Sequence, residues 1–150
     1  MVCENRPSIR RAALPDDAPE IFRLYTAGLD ELGQAWDQRL VLNKIVNSYH
    51  LAPCFLLEIN DKICGMAGFT AISSSHSGDA SLADYMFYVE PEHRNMESLN
   101  ALTGSVKAFA SEHKLPVRLE FIVTDDEAAR RRLLSMHGFR VGALIGVLDG

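Results

Sequence analysis

The chain is poor in several things at once. It has three cysteines, one tryptophan and no excess of basic residues: 15 Lys and Arg stand against 20 Asp and Glu, a net charge of −5. An odd set of cysteines (Cys3, Cys54 and Cys64), with no short repeated spacing, excludes a disulfide framework and offers no zinc-ligand pattern. An acidic chain lacks the broad basic face that contact with nucleic acid or an anionic membrane needs. No apolar run approaches the roughly 18 residues of a membrane span. The opening MVCENRPSIRR holds no apolar segment of the secretory kind. No nucleic acid, no membrane and no metal are therefore expected as partners. A reducing cytoplasm is the expected setting, with Cys54 and Cys64, each inside an apolar run, as buried thiols.

What is present suits a core-forming domain. Hydrophobic residues make up 47% of 150 positions, enough for a single domain over 1–150. PSIRR (7–11) reads as a short strand. Asp16 and Asp17 precede Pro19 and the stripe Ile21, Phe22, Tyr25, Leu29, Leu32, which is one helical face ending before Gly33. Val41, Ile45 and Tyr49 predict a second helix over about 38–49, stopped by Pro53. CFLLEI and KICGMAGFTAI, joined at Asn60-Asp61, read as a hairpin. Residues 73–81 are a loop by composition, and LADYMFYV (82–89) is a strand. Leu99, Leu102, Val106 and Phe109 mark a helix. VRLEFIV (117–123) alternates as a strand. A last helix over 125–137 ends at Gly138-Phe139, before a strand running to about Leu148. The order β-α-α-β-β-β-α-β-α-β predicts an α/β (α+β) fold with a mixed sheet, the strands at 82–89 and 117–123 parallel across a right-handed crossover.

One stretch carries two meanings. YVEPEHRNMESLNAL (88–102) runs from a strand end through Pro91 and Arg94 into an amphipathic helix, the layout of an anion cradle at a helix N-terminus. Yet the turn holds no glycine. Read locally, Asn95 caps the helix and Glu97 favours its dipole, and no ligand is required.

YVEPEHR resembles the V-x-P-x-x-R passage of the GCN5-related N-acetyltransferase (GNAT) superfamily, and LLSMHGF (133–139) resembles that family's YEKLGF. The element order resembles the family along nearly the whole chain. The resemblance implies a mixed sheet of about six to seven strands with about four helices, and acetyl-CoA in a cleft between splayed strands at 82–89 and 117–123. It implies that main-chain groups near Tyr88 and Val89 pair with the pantetheine arm. The turn of Arg94, Asn95, Met96, Glu97, Ser98 and Leu99 would face the pyrophosphate. Where the family has glycines this chain has Asn95, Glu97 and Leu99, and where it has a tyrosine acid this chain has Leu134.

Acetyl transfer to an amine requires a base and, for the leaving thiolate, an acid. Asp84, inside an apolar strand beside the expected cleft, is the first candidate base and Glu58 the second, each read alternatively as a residue of a solvated strand face. Tyr85 or Tyr88 would stand in for the missing acid, or simply pack. His76 would sit in a lid, Trp36 would line an acceptor pocket, and one of Arg130, Arg131 and Arg132 would reach a phosphate. Each of these has a plain surface or packing reading as well. Two functions follow. One is an acyl-CoA-dependent N-acyltransferase, monomer or homodimer, acting by direct attack of a small-molecule or protein amine. The other is an inactive domain of the same fold serving as a binding or regulatory module. A small unrelated α/β ligand-binding domain is the third alternative.

Overall fold

The computed structural model of the chain describes residues 6–140. In order these form β1 (Ser8–Arg11), α1 (Ala18–Glu31), α2 (Gln38–Tyr49), β2 (Cys54–Ile59), β3 (Lys62–Ser73), β4 (Ala80–Val89), a 3-10 turn (Pro91–His93), α3 (Met96–His113), β5 (Val117–Arg118) and α4 (Glu127–Met136). The predicted order holds through α4. The expected six to seven strands are five among the described residues. The strand expected to run to about Leu148 lies outside them.

Local chemistry explains most boundaries. Asp37, Asn95 and Asp126 each accept a main-chain N–H three residues on, at Leu40, Ser98 and Ala129, and so open α2, α3 and α4. Asp17 sits at the start of α1 but spends its carboxylate on the Ala13 N–H and on Arg10. Asn60 and Asp61, both with positive φ, make the tight turn between β2 and β3. Gly33 follows α1 at φ +71°, a conformation that suits glycine.

The sheet runs β1-β2-β3-β4-β5. The first three pairings are antiparallel and β4–β5 is parallel, with α3 as the connection. Helices cover both faces. On one, Leu57, Phe69, Phe87 and Val89 pack with Leu99, Leu102 and Val106 of α3 and Leu133 of α4. On the other, Leu56, Met66 and Met86 pack with Ile21 and Leu24 of α1 and Val41 and Ile45 of α2. Cys54 and Cys64 are buried free thiols, and burial pushes the two up to about 12 and about 11.

One irregularity interrupts the β3–β4 ladder. The register steps from Gly68↔Met86 to Phe69↔Asp84, leaving Tyr85 as a bulge residue. Tyr85 and Met86 then both face α1 and α2. A Cβ at position 68 would run into the Tyr85 ring, so Gly68 makes room for the bulge.

Candidate functional site

The strand expected over 117–123 is not continuous. Pairing with β4 begins at Leu82↔Val117 and Ala83↔Arg118, stops, and returns as a bridge at Phe87↔Ile122. In the interruption the side chain of Asp84 replaces the ladder. Its carboxylate accepts the N–H of Glu120 at 2.7 Å and of Phe121 at 2.9 Å. The kink at the Tyr85 bulge is the physical reason: β4 cannot keep regular parallel spacing past it. Asp84 is 4% exposed. Burial pushes its carboxyl up to about 6, against the opposing pull of the two amides. Among the described residues the last bond between the strands is Val123 N–H to Phe87 O. Beyond it the Val89 N–H faces the β5 side, by strand alternation, and meets no acceptor among the described residues.

The turn after β4 is largely self-satisfied. His93, Arg94 and Asn95 donate their N–H groups to Glu90, Pro91 and His93. Ser98 donates to the Asn95 side chain and Leu99 to the Asn95 carbonyl. Ser98 and Leu99 are buried, so neither offers an outward donor. That departs from the six-residue cradle the resemblance implied. Met96 and Glu97 keep free N–H groups at the positive end of α3, with no acceptor among the described residues. The Glu97 side chain is exposed.

Arg94 does not stand open. Its side chain is only 5% exposed. Nε donates to Val89 O at 2.7 Å, one terminal nitrogen to Glu31 at 2.8 Å and the other to Asp125 at 3.1 Å. Its guanidinium also lies 5.3 Å from the Tyr88 ring centre. Burial alone would lower its pKa, but the bonds to Glu31 and Asp125 hold it above the usual arginine value. Arg94 thus clasps the end of α1, the end of β4 and the approach to α4. Neither carboxylate partner is signalled by sequence spacing, because both contacts are long-range.

Beside this clasp lies a cleft of about 170 Å³. Glu31 and Leu32 form one wall, Ile122, Val123 and Thr124 the floor, and Asp126, Glu127 and Arg130 of α4 the other wall. It is too small for a whole nucleotide thioester.

The other expected residues are scattered. Glu58 is held by Arg10 at 2.6 Å, in a brace with Asp17 that ties β1, β2 and the start of α1. It lies on β2, two strands from β4. Tyr88 is buried under Arg94, and burial raises its pKa while Arg94 pulls the other way. Tyr85 packs on Tyr25, with ring centres 4.9 Å apart. His76 is exposed in the β3–β4 hairpin, at the N-terminal end of β4 and away from the strand parting, so it covers nothing there. Trp36 is 41% exposed, donates to Asp30 and does not line the cleft. Leu134 packs against the core. Among the described residues no His, Cys, Asp and Glu group is arranged to hold a metal, and no helix is long and apolar enough to cross a membrane.

No protein-family model and no curated protein matches the sequence. Solved structures do. A predicted acetyltransferase from Clostridium acetobutylicum, determined with acetyl-CoA, superposes with a TM-score of 0.74 at 15% identity, over 95% of this chain and 96% of that one. The ribosomal-protein-alanine N-acetyltransferase of Brucella melitensis gives 0.72 at 16%, over 97% and 99%. An aminoglycoside acetyltransferase from an uncultured soil metagenomic sample gives 0.69 at 12%, over 96% and 98%. At these identities the likeness establishes the fold, and the fold is that of GNAT-family acetyltransferases.

Proposed function

From a chain with the GNAT acetyltransferase fold, we propose an acyl-CoA-dependent N-acyltransferase. Its donor is acetyl-CoA, and its acceptor is a primary amine of a small molecule or a protein. The observation that carries this reading is the parting of β4 from the 117–123 segment after Phe87–Ile122. It leaves the Val89 N–H facing the opening, with the Met96 and Glu97 N–H groups nearby on α3.

In this reading the Val89 N–H pairs with the pantetheine arm, and the start of α3 receives the pyrophosphate. The uncharged amine attacks the thioester carbon directly. The carbon–nitrogen bond forms, the carbon–sulfur bond breaks, and the amine proton leaves to solvent. Tyr88, kept protonated by burial, is the candidate for donating a proton to the departing thiolate. Asp84 acts by position: with both oxygens on Glu120 and Phe121, it fixes the 119–121 segment so that the strands part where they do.

A non-catalytic binding module of the same fold is the second reading. It rests on the closed clasp at Arg94 and on Leu134 in the position where the resemblance expects a tyrosine.

The test is calorimetric titration with acetyl-CoA and CoA, followed by thiol release across a panel of amines. The transferase reading expects micromolar binding and amine-dependent release of free CoA. Binding with no release for any amine supports the module, and no heat with no thermal shift overturns both.

A further inference from the structure

Among the described residues, one cation in the cleft wall has no carboxylate bonded to it. Of the carboxylates in its walls, Glu31 is bonded to Arg94, Asp126 accepts the Ala129 N–H, and Glu127 is paired with Arg131 at 2.9 Å. Arg130 also lines the cleft, is half-buried, and has no side-chain partner among the described residues. A guanidinium on the wall of a cleft with no carboxylate bonded to it is open to an anion brought by a ligand.

Its position is informative. The Arg94–Asp125 ion pair brings the residue preceding the cap of α3 against the residue preceding the cap of α4. The starts of both helices therefore meet at this end of the sheet, and Arg130 sits one turn into α4. The sequence pointed to Arg94 as the cation for a phosphate, but Arg94 is consumed by Val89, Glu31 and Asp125. We infer that Arg130 is the residue that takes the charged phosphate oxygens of the acyl donor, in the role that sequence resemblance gives to Arg94. This rests on the acyltransferase reading. It names a binding residue that lies outside the 88–102 stretch.

The experiment is titration of the whole chain and its Arg130→Gln and Arg132→Gln variants with acetyl-CoA, CoA and 3′-dephospho-CoA, at two salt concentrations. Arg132 lies on the same helix, exposed and outside the cleft. The inference expects Arg130→Gln to weaken acetyl-CoA about tenfold or more, with a shallower salt dependence, and Arg132→Gln to bind as wild type does. An equal loss for all three ligands places Arg130 on the pyrophosphate. A loss for acetyl-CoA and CoA but not for 3′-dephospho-CoA places it on the 3′-phosphate, and either outcome supports the inference, whereas a loss for acetyl-CoA alone overturns it. Unchanged donor binding in Arg130→Gln overturns it and leaves the transferase reading standing. So does a rise in the acceptor KM alone, which would move Arg130 to the amine substrate. Failure of wild type to bind acetyl-CoA overturns both. A thermal-melt comparison confirms that each variant is folded.

Discussion

Arg94→Met separates two roles that one arginine can play. Methionine keeps the stem and removes every donor. The bond to Val89 O comes from a charged group and is worth about 1.5–3 kcal/mol. The Glu31 pair, whose carboxylate is 35% exposed, is worth about 1 kcal/mol, and the Asp125 pair, whose carboxylate is 69% exposed, about 0–0.5 kcal/mol after screening. The contact over Tyr88 adds about 0.5–1 kcal/mol. Together these give a loss of about 3–5 kcal/mol, a large share of the stability of an ordinary domain. Urea denaturation followed by far-UV circular dichroism measures it. Hydrogen exchange should show faster opening at the end of α1 and in 122–126, the segments Arg94 ties together. Arg94→Lys keeps one donor group without the fork and should lose about half as much. A change below about 0.5 kcal/mol in Arg94→Met, combined with loss of acetyl-CoA binding, would refute the clasp. It would return Arg94 to the role of an open phosphate contact.

The same geometry makes other outcomes testable. Asp84→Ala removes the acceptor of two buried N–H groups. Because burial puts the folded carboxyl at about 6, above its unfolded value near 3.9, Asp84 favours folding most at low pH and that contribution is lost as pH rises from about 4 through 6. The stability gap between wild type and Asp84→Ala should therefore be widest near pH 4 and narrow by up to about 3 kcal/mol by pH 7. A constant or widening gap in pH-dependent urea melts would count against it. Gly68→Ala drives a methyl into the Tyr85 ring and should cost about 1–3 kcal/mol, read as a fall of roughly 2–4 °C in Tm per kcal/mol. A neutral result would mean that the bulge moves freely. Glu31→Gln releases one arm of Arg94 and lowers the negative charge at the cleft mouth. Acetyl-CoA affinity by calorimetry should rise about threefold or more, and unchanged affinity would show that the clasp does not oppose the donor.

The sequence alone determined the order of the elements from β1 through α4. Periodicity placed α1, α2 and α3, and Asn95 marked the start of α3, because caps and amphipathic stripes are local physics. It also picked out Val89, Met96 and Glu97, whose free N–H groups arise where a strand runs into a helix. Only tertiary structure decided the rest. Alternation in VRLEFIV read as an unbroken strand, but Asp84, thirty-six residues from Glu120, displaced the ladder there. Arg94 read as an open cation until Glu31, sixty-three residues away, closed on it. Arg130 looked like one of three equivalent arginines until the fold paired Arg131 with Glu127 and turned Arg130 toward the cleft. Local propensities are written in neighbouring residues. Which charges are neutralised depends on groups that only the folded chain brings within a few ångströms.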